Sequence, residues 1–240
     1  MIIYRPLQPV KALSFDLDDT LYNNHNIMLR AERALLDFLH LEYPDTARHD
    51  IEFWRQIKAQ LLRQRPELQS DMGELRRQQL HHGLQTCGYD GETLATATQV
   101  AFDYFYDQRS DFKVTESICS LLRQLADRVP MVAITNGNVN LEKIGIAGYF
   151  SACYHANLKQ PMKPDSRMFE LAQAHLGIPA GQILHIGDGF KNDIAGALNA
   201  GYQAAWYAAN RPMNISDEPA SVLPHIQLQQ LDELLKLVNS

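Results

Sequence analysis

The sequence predicts an α/β protein in which a doubly wound parallel sheet carries an inserted α-helical cap domain. Three observations predict it. Short apolar runs of strand composition alternate with helical patterns from Val129 onward. Roughly 110 residues separate the first such run from the next, whereas a dozen or more suffice for a crossover between parallel strands. Polar residues suited to chemistry come after four of the runs. Alternation of this kind argues for parallel strands joined by right-handed crossovers.

The first strand is expected at Lys11 to Phe15. Beyond it, Ile27, Ala31, Ala34, Leu35 and Phe38 form one amphipathic stripe, and Trp54, Ile57, Leu61 and Leu62 a second. A weaker helix spans Met72 to Leu84, and Leu94, Ala97, Val100, Ala101, Tyr104 and Phe105 mark another. These stripes assign residues 23–107 to the cap and residues 1–22 and 108–240 to the α/β core. A crossover helix around Thr115 to Leu125 follows, its apolar face being Ile118, Leu121, Leu122 and Leu125. The remaining strands are expected at Val129 to Ile134, Ala152 to His155, Ile183 to Ile186 and Gln203 to Tyr207. The segment Asp165 to Leu176 reads as a helix with Asp165 as N-cap and Gly177 just past its end; Asn192 to Ala200 repeats the device and ends at Gly201.

Composition bounds the function. The 240 residues are 45% hydrophobic and 21% charged, the range of ordinary globular chains, which argues against both disorder and a membrane span. A formal charge of -6 makes nucleic acid an unsuitable partner unless basic residues cluster. Cys87, Cys119 and Cys153 are widely spaced and odd in number, which fits a reducing compartment, and residues 1–10 hold no apolar stretch of signal-peptide length. A cytoplasmic protein with a small-molecule partner is expected; the oligomeric state is not readable.

Open parallel sheets bind ligands at the carboxyl ends of their strands. There the sequence places Asp16, Asp18, Asp19 and Thr20 after the first strand, and Thr135, Asn136 and Gly137 after the second. Lys163 follows the third, and Gly187, Asp188 and Asp193 the fourth. Each has a bland reading by itself: a helix cap for Asp18 to Thr20, strand filler for Thr135, a surface lysine, a turn aspartate. Together they converge where the topology predicts a site. Asp16 and Asp18, two apart, leave the same side of an extended chain, so either one holds a proton or a cation sits between them. Oxygen donors suit magnesium, and no His or Cys pair has zinc spacing. An EF-hand fails because Leu21 and Ile27 stand where Gly and Glu are needed; no dinucleotide fingerprint or P-loop is present.

The string Phe15-Asp16-Leu17-Asp18-Asp19-Thr20-Leu21 resembles the first motif of the haloacid dehalogenase superfamily. Thr135-Asn136-Gly137 resembles its second, Lys163-Pro164 its third, and Gly187-Asp188 with Asp193 its fourth, in order over about Lys11 to Gly201. Tyr4-Arg5-Pro6-Leu7, Ala133 to Asn138 and Ile183 to Asp188 are similar to a branch of flavin-pathway phosphatases implicated in hydrolysing flavin mononucleotide and 5-amino-6-(5-phospho-D-ribitylamino)uracil. Gly189 departs from relatives that carry a second acidic residue there, which leaves Asp193 to support the metal alone.

The resemblance implies a Rossmannoid core, a helical cap of the type inserted between the first two motifs, and a magnesium-dependent phosphatase acting through an aspartyl-phosphate. Asp16 is then the nucleophile and Asp18 the general acid and base. Magnesium is held by the Asp16 carboxylate, the Asp18 backbone carbonyl and Asp188, with Asp193 behind them. Lys163, Thr135, Asn136 and Gly137 bind the phosphoryl group, helped by a helix starting near Lys191. Arg30, Arg33, Tyr22, His25 and Asn138 are candidate cap-side contacts. A phosphomutase on sugar phosphates shares the nucleophile and cap, and a signalling receiver shares the carboxylate, threonine and lysine set.

Overall fold

The computed structural model describes residues 1–238. Its centre is a seven-stranded sheet in the order β1-β7-β6-β5-β2-β3-β4. The strands are β1 (Ile2–Ile3), β2 (Ala12–Phe15), β3 (Met131–Thr135), β4 (Ala152–His155), β5 (Ile183–Gly187), β6 (Gln203–Trp206) and β7 (Ile226–Gln227). All neighbours pair parallel except β1 with β7. β2 and β5 are fully buried along their length, as strands covered on both faces must be, so they read as apolar runs without alternation. One face packs on Leu121, Leu122 and Leu125 of α5 (Glu116–Ala126), the other on Met168, Phe169 and Ala172 of α7 (Arg167–Leu176). The α/β class and the doubly wound sheet expected from the sequence are therefore present.

The chain leaves β2 for β3 on one side, then returns to β5 on the other, which makes the carboxyl end of β2 a topological switch point. Between β2 and β3 run α1 (Asn24–Glu42), α2 (Ile51–Gln64), α3 (Met72–Thr86) and α4 (Gly91–Arg109). Asn23, Asp50 and Asp71 cap the first three through side-chain oxygens that accept backbone N–H bonds. Their buried stripes meet in a cluster of their own around Ala31, Leu35, Trp54, Leu80, Leu84, Ala97 and Phe105.

The differences from expectation are local. β3 starts at Met131 because the Val129 N–H is still bonded to the Leu125 carbonyl at the end of α5. β1 and β7, two residues each, and α6 (Leu141–Ile144) are too short to show a period. The N-cap of α7 is Ser166, one residue after the expected Asp165, whose Oδ1 accepts from the Arg167 N–H at 2.9 Å, while Gly177 and Gly201 take the left-handed conformation foreseen at the helix ends. The helix expected from Asn192 begins earlier, as a wide turn over Phe190–Ala195 that runs into α8 (Gly196–Asn199). Its signature is the Gly189 carbonyl, which accepts from both Asp193 N and Ile194 N.

Candidate active site

Asp16 extends β2 by one residue, its N–H bonded to the Ile186 carbonyl of β5 at 2.8 Å. The neighbouring strands thus fix its backbone, and its side chain is buried. Lys163 reaches it from the loop before α7. The lysine is 1% exposed, and its three ammonium protons go to Asp16 Oδ1 at 2.7 Å, Asp193 Oδ1 at 2.6 Å and the Ile134 carbonyl at 2.6 Å. Asn136 holds the lysine backbone from both ends of its carboxamide, accepting from Lys163 N at 2.8 Å and donating to Lys163 O at 3.1 Å. The Asn136 carboxamide thus positions Lys163, and all three Lys163 protons have acceptors within the protein. The Lys163-Pro164 peptide is cis.

Burial pushes the Asp16 carboxyl above the usual carboxylate range, with the Lys163 charge pulling the other way. Burial also acts to raise Asp193, but Lys163 and His185 outweigh it and hold that carboxyl below its ordinary range. Lys163 shows the converse: burial opposes its charge, and Asp16 and Asp193 hold its pKa up. The sequence reading passed over His185, which is fully buried in β5. Its Nε2 lies 3.2 Å from Asp193 Oδ1 and its Nδ1 2.7 Å from Ser14 Oγ. Burial lowers its pKa, with the Asp193 hydrogen bond pulling the other way. A histidine inside an apolar strand was the available signal.

Asp188 follows β5 and is bound by Arg211, which donates to its Oδ2 at 2.8 Å and to its carbonyl at 2.9 Å. Glu218 holds Arg211 in turn at 2.7 Å. Burial, reinforced by Asp193, pushes the Asp188 carboxyl up to about 6. Asp16, Asp188 and Asp193 each bring one carboxylate oxygen within 4.8 Å of the others. Three oxygen donors without histidine or thiolate fit a hard divalent cation. Both oxygens of Asp193 are engaged, Oδ2 by the Gly189 N–H at 2.8 Å, and so are both of Asp16, Oδ2 by the Thr20 hydroxyl at 3.2 Å, while Asp188 is bonded at Oδ2 by Arg211. A β-carbon at Gly189 would stand 3.1 Å from Asp193 Oδ2, and one at Gly187 only 2.3 Å from its Cγ. These glycines let the wide turn bring Asp193 close.

Thr135 ends β3 with its Oγ1 accepting from Gly137 N at 3.0 Å. With Asp16, Asp18, Asn136, Lys163, Asp188 and Asp193 it lines one open depression. The Asp18 carboxylate faces a different way. Its Oδ1 accepts from Arg109 Nη2 at 2.6 Å and from the Tyr22 hydroxyl at 2.7 Å. Its Oδ2 lies where a β-carbon on Gly137 would come within 2.4 Å. Asp18 and Gly137 also line a second cavity that runs under the helices, bounded by Asn24, Met28, Lys58, Arg76, Phe105 and Asn138 among others. Of the expected cap-side contacts, Tyr22 holds Asp18 and Asn138 lines this cavity, while Arg30, Arg33 and His25 are exposed and line neither. Arg109 and Arg211, which the sequence reading missed, carried no local signal.

A family model described as haloacid dehalogenase-like hydrolase matches residues 10–201. The chain is 33% identical over 238 residues to the Escherichia coli (strain K12) 5-amino-6-(5-phospho-D-ribitylamino)uracil phosphatase YigB, covering 99% of this chain and 100% of that one. It is 23% identical over 242 residues to the human N-acylneuraminate-9-phosphatase, covering 98% and 96%. The crystal structure of a 2-haloacid dehalogenase from Pseudomonas syringae pv. Tomato DC3000 superposes with a TM-score of 0.87 at 30% identity, over 95% of this chain and 97% of the other.

Proposed function

The chain belongs to the haloacid dehalogenase-like hydrolases and is an enzyme of that family, and we propose that it hydrolyses small-molecule phosphate monoesters through an aspartyl-phosphate on Asp16. The observation that carries the reading is Asp18. Displacing a halide from carbon releases a weak base that needs no proton, whereas displacing an alcohol from phosphorus releases an alkoxide that does. A carboxyl group two residues from the nucleophile, opening on the cavity where an alcohol would lie, is a feature only the second reaction uses.

In the first half-reaction an Asp16 oxygen attacks phosphorus, and Asp18 passes a proton to the departing oxygen. In the second, Asp18, now a carboxylate, takes a proton from the water that opens the acyl phosphate. Arg109 and Tyr22 keep Asp18 oriented toward the leaving group in both. The Thr135 hydroxyl and the backbone around Gly137 meet the phosphoryl oxygens, and Lys163 offsets charge at Asp16 without leaving its three acceptors. Asp16, the Asp18 carbonyl and Asp188 would hold magnesium, with Asp193 supporting them. When bound, that ion supplies positive charge that lets an anionic nucleophile approach an anionic phosphate.

Residues 23–107 act as the cap in this reading, closing over the depression and setting specificity. Similarity along the whole chain to the ribitylaminouracil phosphatase supports flavin-pathway phosphates, flavin mononucleotide among them, as the first substrates to try. The test is phosphate release from that compound, flavin mononucleotide, N-acylneuraminate 9-phosphate, sugar phosphates and nucleotides, beside chloride release from 2-chloropropionate. Turnover of phosphates that EDTA silences and magnesium restores is expected. Chloride release without phosphate release would make the protein a dehalogenase, and isomerised sugar phosphate without free phosphate would make it a mutase.

A further inference from the structure

Gly189 has no side chain with which to steady its neighbour Asp188; the support comes from Arg211, in the irregular segment after β6. All the N–H groups of that guanidinium are used. Nε donates to Glu218 Oε1 at 2.7 Å, and Nη1 donates to Asp188 Oδ2 at 2.8 Å and to Asn210 Oδ1 at 3.0 Å. Nη2 donates to the Asp188 carbonyl at 2.9 Å and to Glu218 Oε2 at 3.3 Å, which completes the inventory of donors. The Asp188 carbonyl also accepts from the indole N–H of the fully buried Trp206 at 3.0 Å. One oxygen of the Asp188 carboxylate is thereby fixed together with its backbone, while Oδ1 makes no hydrogen bond among the described residues. An arginine alone at this place would repel a cation. Glu218, whose side chain is 11% exposed, cancels that charge, so the pair supplies direction without net charge.

We propose that Arg211, steadied by Glu218, is a positioning residue that tilts the site toward magnesium and against calcium: by occupying Oδ2 it limits Asp188 to one donor oxygen. The inference rests on the magnesium site of the proposed function. Asp16 is bonded at Oδ1 by Lys163 and at Oδ2 by Thr20, and Asp193 is bonded at both oxygens. Among these three acidic residues, then, Asp188 is the one with an oxygen left over, and its orientation decides how many donors the site offers. Magnesium demands near-ideal octahedral geometry, which a carboxylate held in one orientation with one open oxygen suits. Calcium accepts more oxygens at longer distances and takes a carboxylate through both, so it gains from an Asp188 that is free to turn.

The experiment is calorimetric titration of chelator-stripped protein with magnesium chloride and, separately, calcium chloride, with a thermal melt to check that each variant is folded. No turnover is involved. Arg211→Met is expected to weaken magnesium binding by about tenfold and to leave calcium within about threefold, so the ratio of the two affinities moves toward calcium. Arg211→Lys keeps the charge but not the fork, and is expected to move the ratio the same way by less; it carries the comparison if the methionine variant does not fold. Glu218→Gln keeps an acceptor for Arg211 Nε and removes the balancing charge, so it is expected to weaken both ions alike, most at low ionic strength. An unchanged ratio in both Arg211 variants, or tighter magnesium binding in either, overturns the inference and leaves the magnesium site standing. Wild-type protein that binds no magnesium overturns the site and the inference together.

Discussion

The acidic depression and the cavity beside it share Asp18 and Gly137 and differ in how their polar atoms are satisfied. In the depression every proton of Lys163 has an acceptor, Asp193 is engaged on both oxygens, and Asp188 is held by Arg211. Of the residues that line the cavity, Arg109 and Asn24 each bear one fully buried atom without a hydrogen-bond partner. The first region is organised before any ligand arrives, as a reaction centre that must not reorganise during the reaction requires. The second is walled largely by apolar side chains, Met28, Met72, Leu75 and Phe105 among them.

The largest expected effect tests the organised side. Asp16→Asn should lower kcat by at least about 10⁴-fold in purified protein while the melting temperature is kept, because Lys163 retains Asp193 and the Ile134 carbonyl as acceptors. Retained turnover would remove Asp16 as nucleophile. Lys163→Met should destabilise the fold by about 3–5 kcal/mol in denaturant titration, since two buried carboxylates lose their shared counter-charge. A loss below about 1 kcal/mol would mean that the depression is less dependent on this lysine than its three short bonds imply.

Gly137→Ala works at the seam. Its new β-carbon falls 2.4 Å from Asp18 Oδ2 and must displace that carboxylate. The expected result is a kcat lowered about 10–100-fold on alkyl phosphates, and much less on p-nitrophenyl phosphate, whose leaving group needs little protonation. Equal losses on both would separate Asp18 from proton transfer.

The smallest effect is a pH dependence. Asp188, raised to about 6 in the folded protein, binds its proton more tightly folded than unfolded. Its stabilising contribution is therefore complete below the unfolded value and is lost as pH rises through about 6. Asp188→Asn lacks that loss, so in metal-free buffer its stability relative to the wild type should climb between about pH 4 and pH 7, by on the order of 2 kcal/mol. A flat difference would show that Arg211 compensates the charge fully.

How much of this was legible follows the same division. Three of the four groups of polar residues lie directly after apolar runs and Lys163 comes eight residues after His155, so both the sheet and the depression could be read from local order, including Asp193 as a partner of the others. Arg109 is 91 residues from the aspartate it holds, and Arg211 sits 23 beyond Asp188 in an irregular segment, so no spacing connects them. His185 looks like any strand residue until Ser14 and Asp193 are placed on either side of it. Asn136 was visible as a residue, but its hold on the lysine backbone was not, because only the fold brings that backbone to its carboxamide. The edge strands β1 and β7 escape because two residues have no period.

The wide turn at Phe190–Ala195 carries one residue more than a regular helix would use there. Deleting a single residue between Phe190 and Asn192 should let the segment wind into an ordinary helix and swing Asp193 by about 100° around the axis, away from Lys163 and His185. The sheet would survive such an in-frame loss. The mutant is expected to be a folded protein with its reaction centre unlatched, so that the length of this short stretch matters to the chemistry as much as the identity of Asp193.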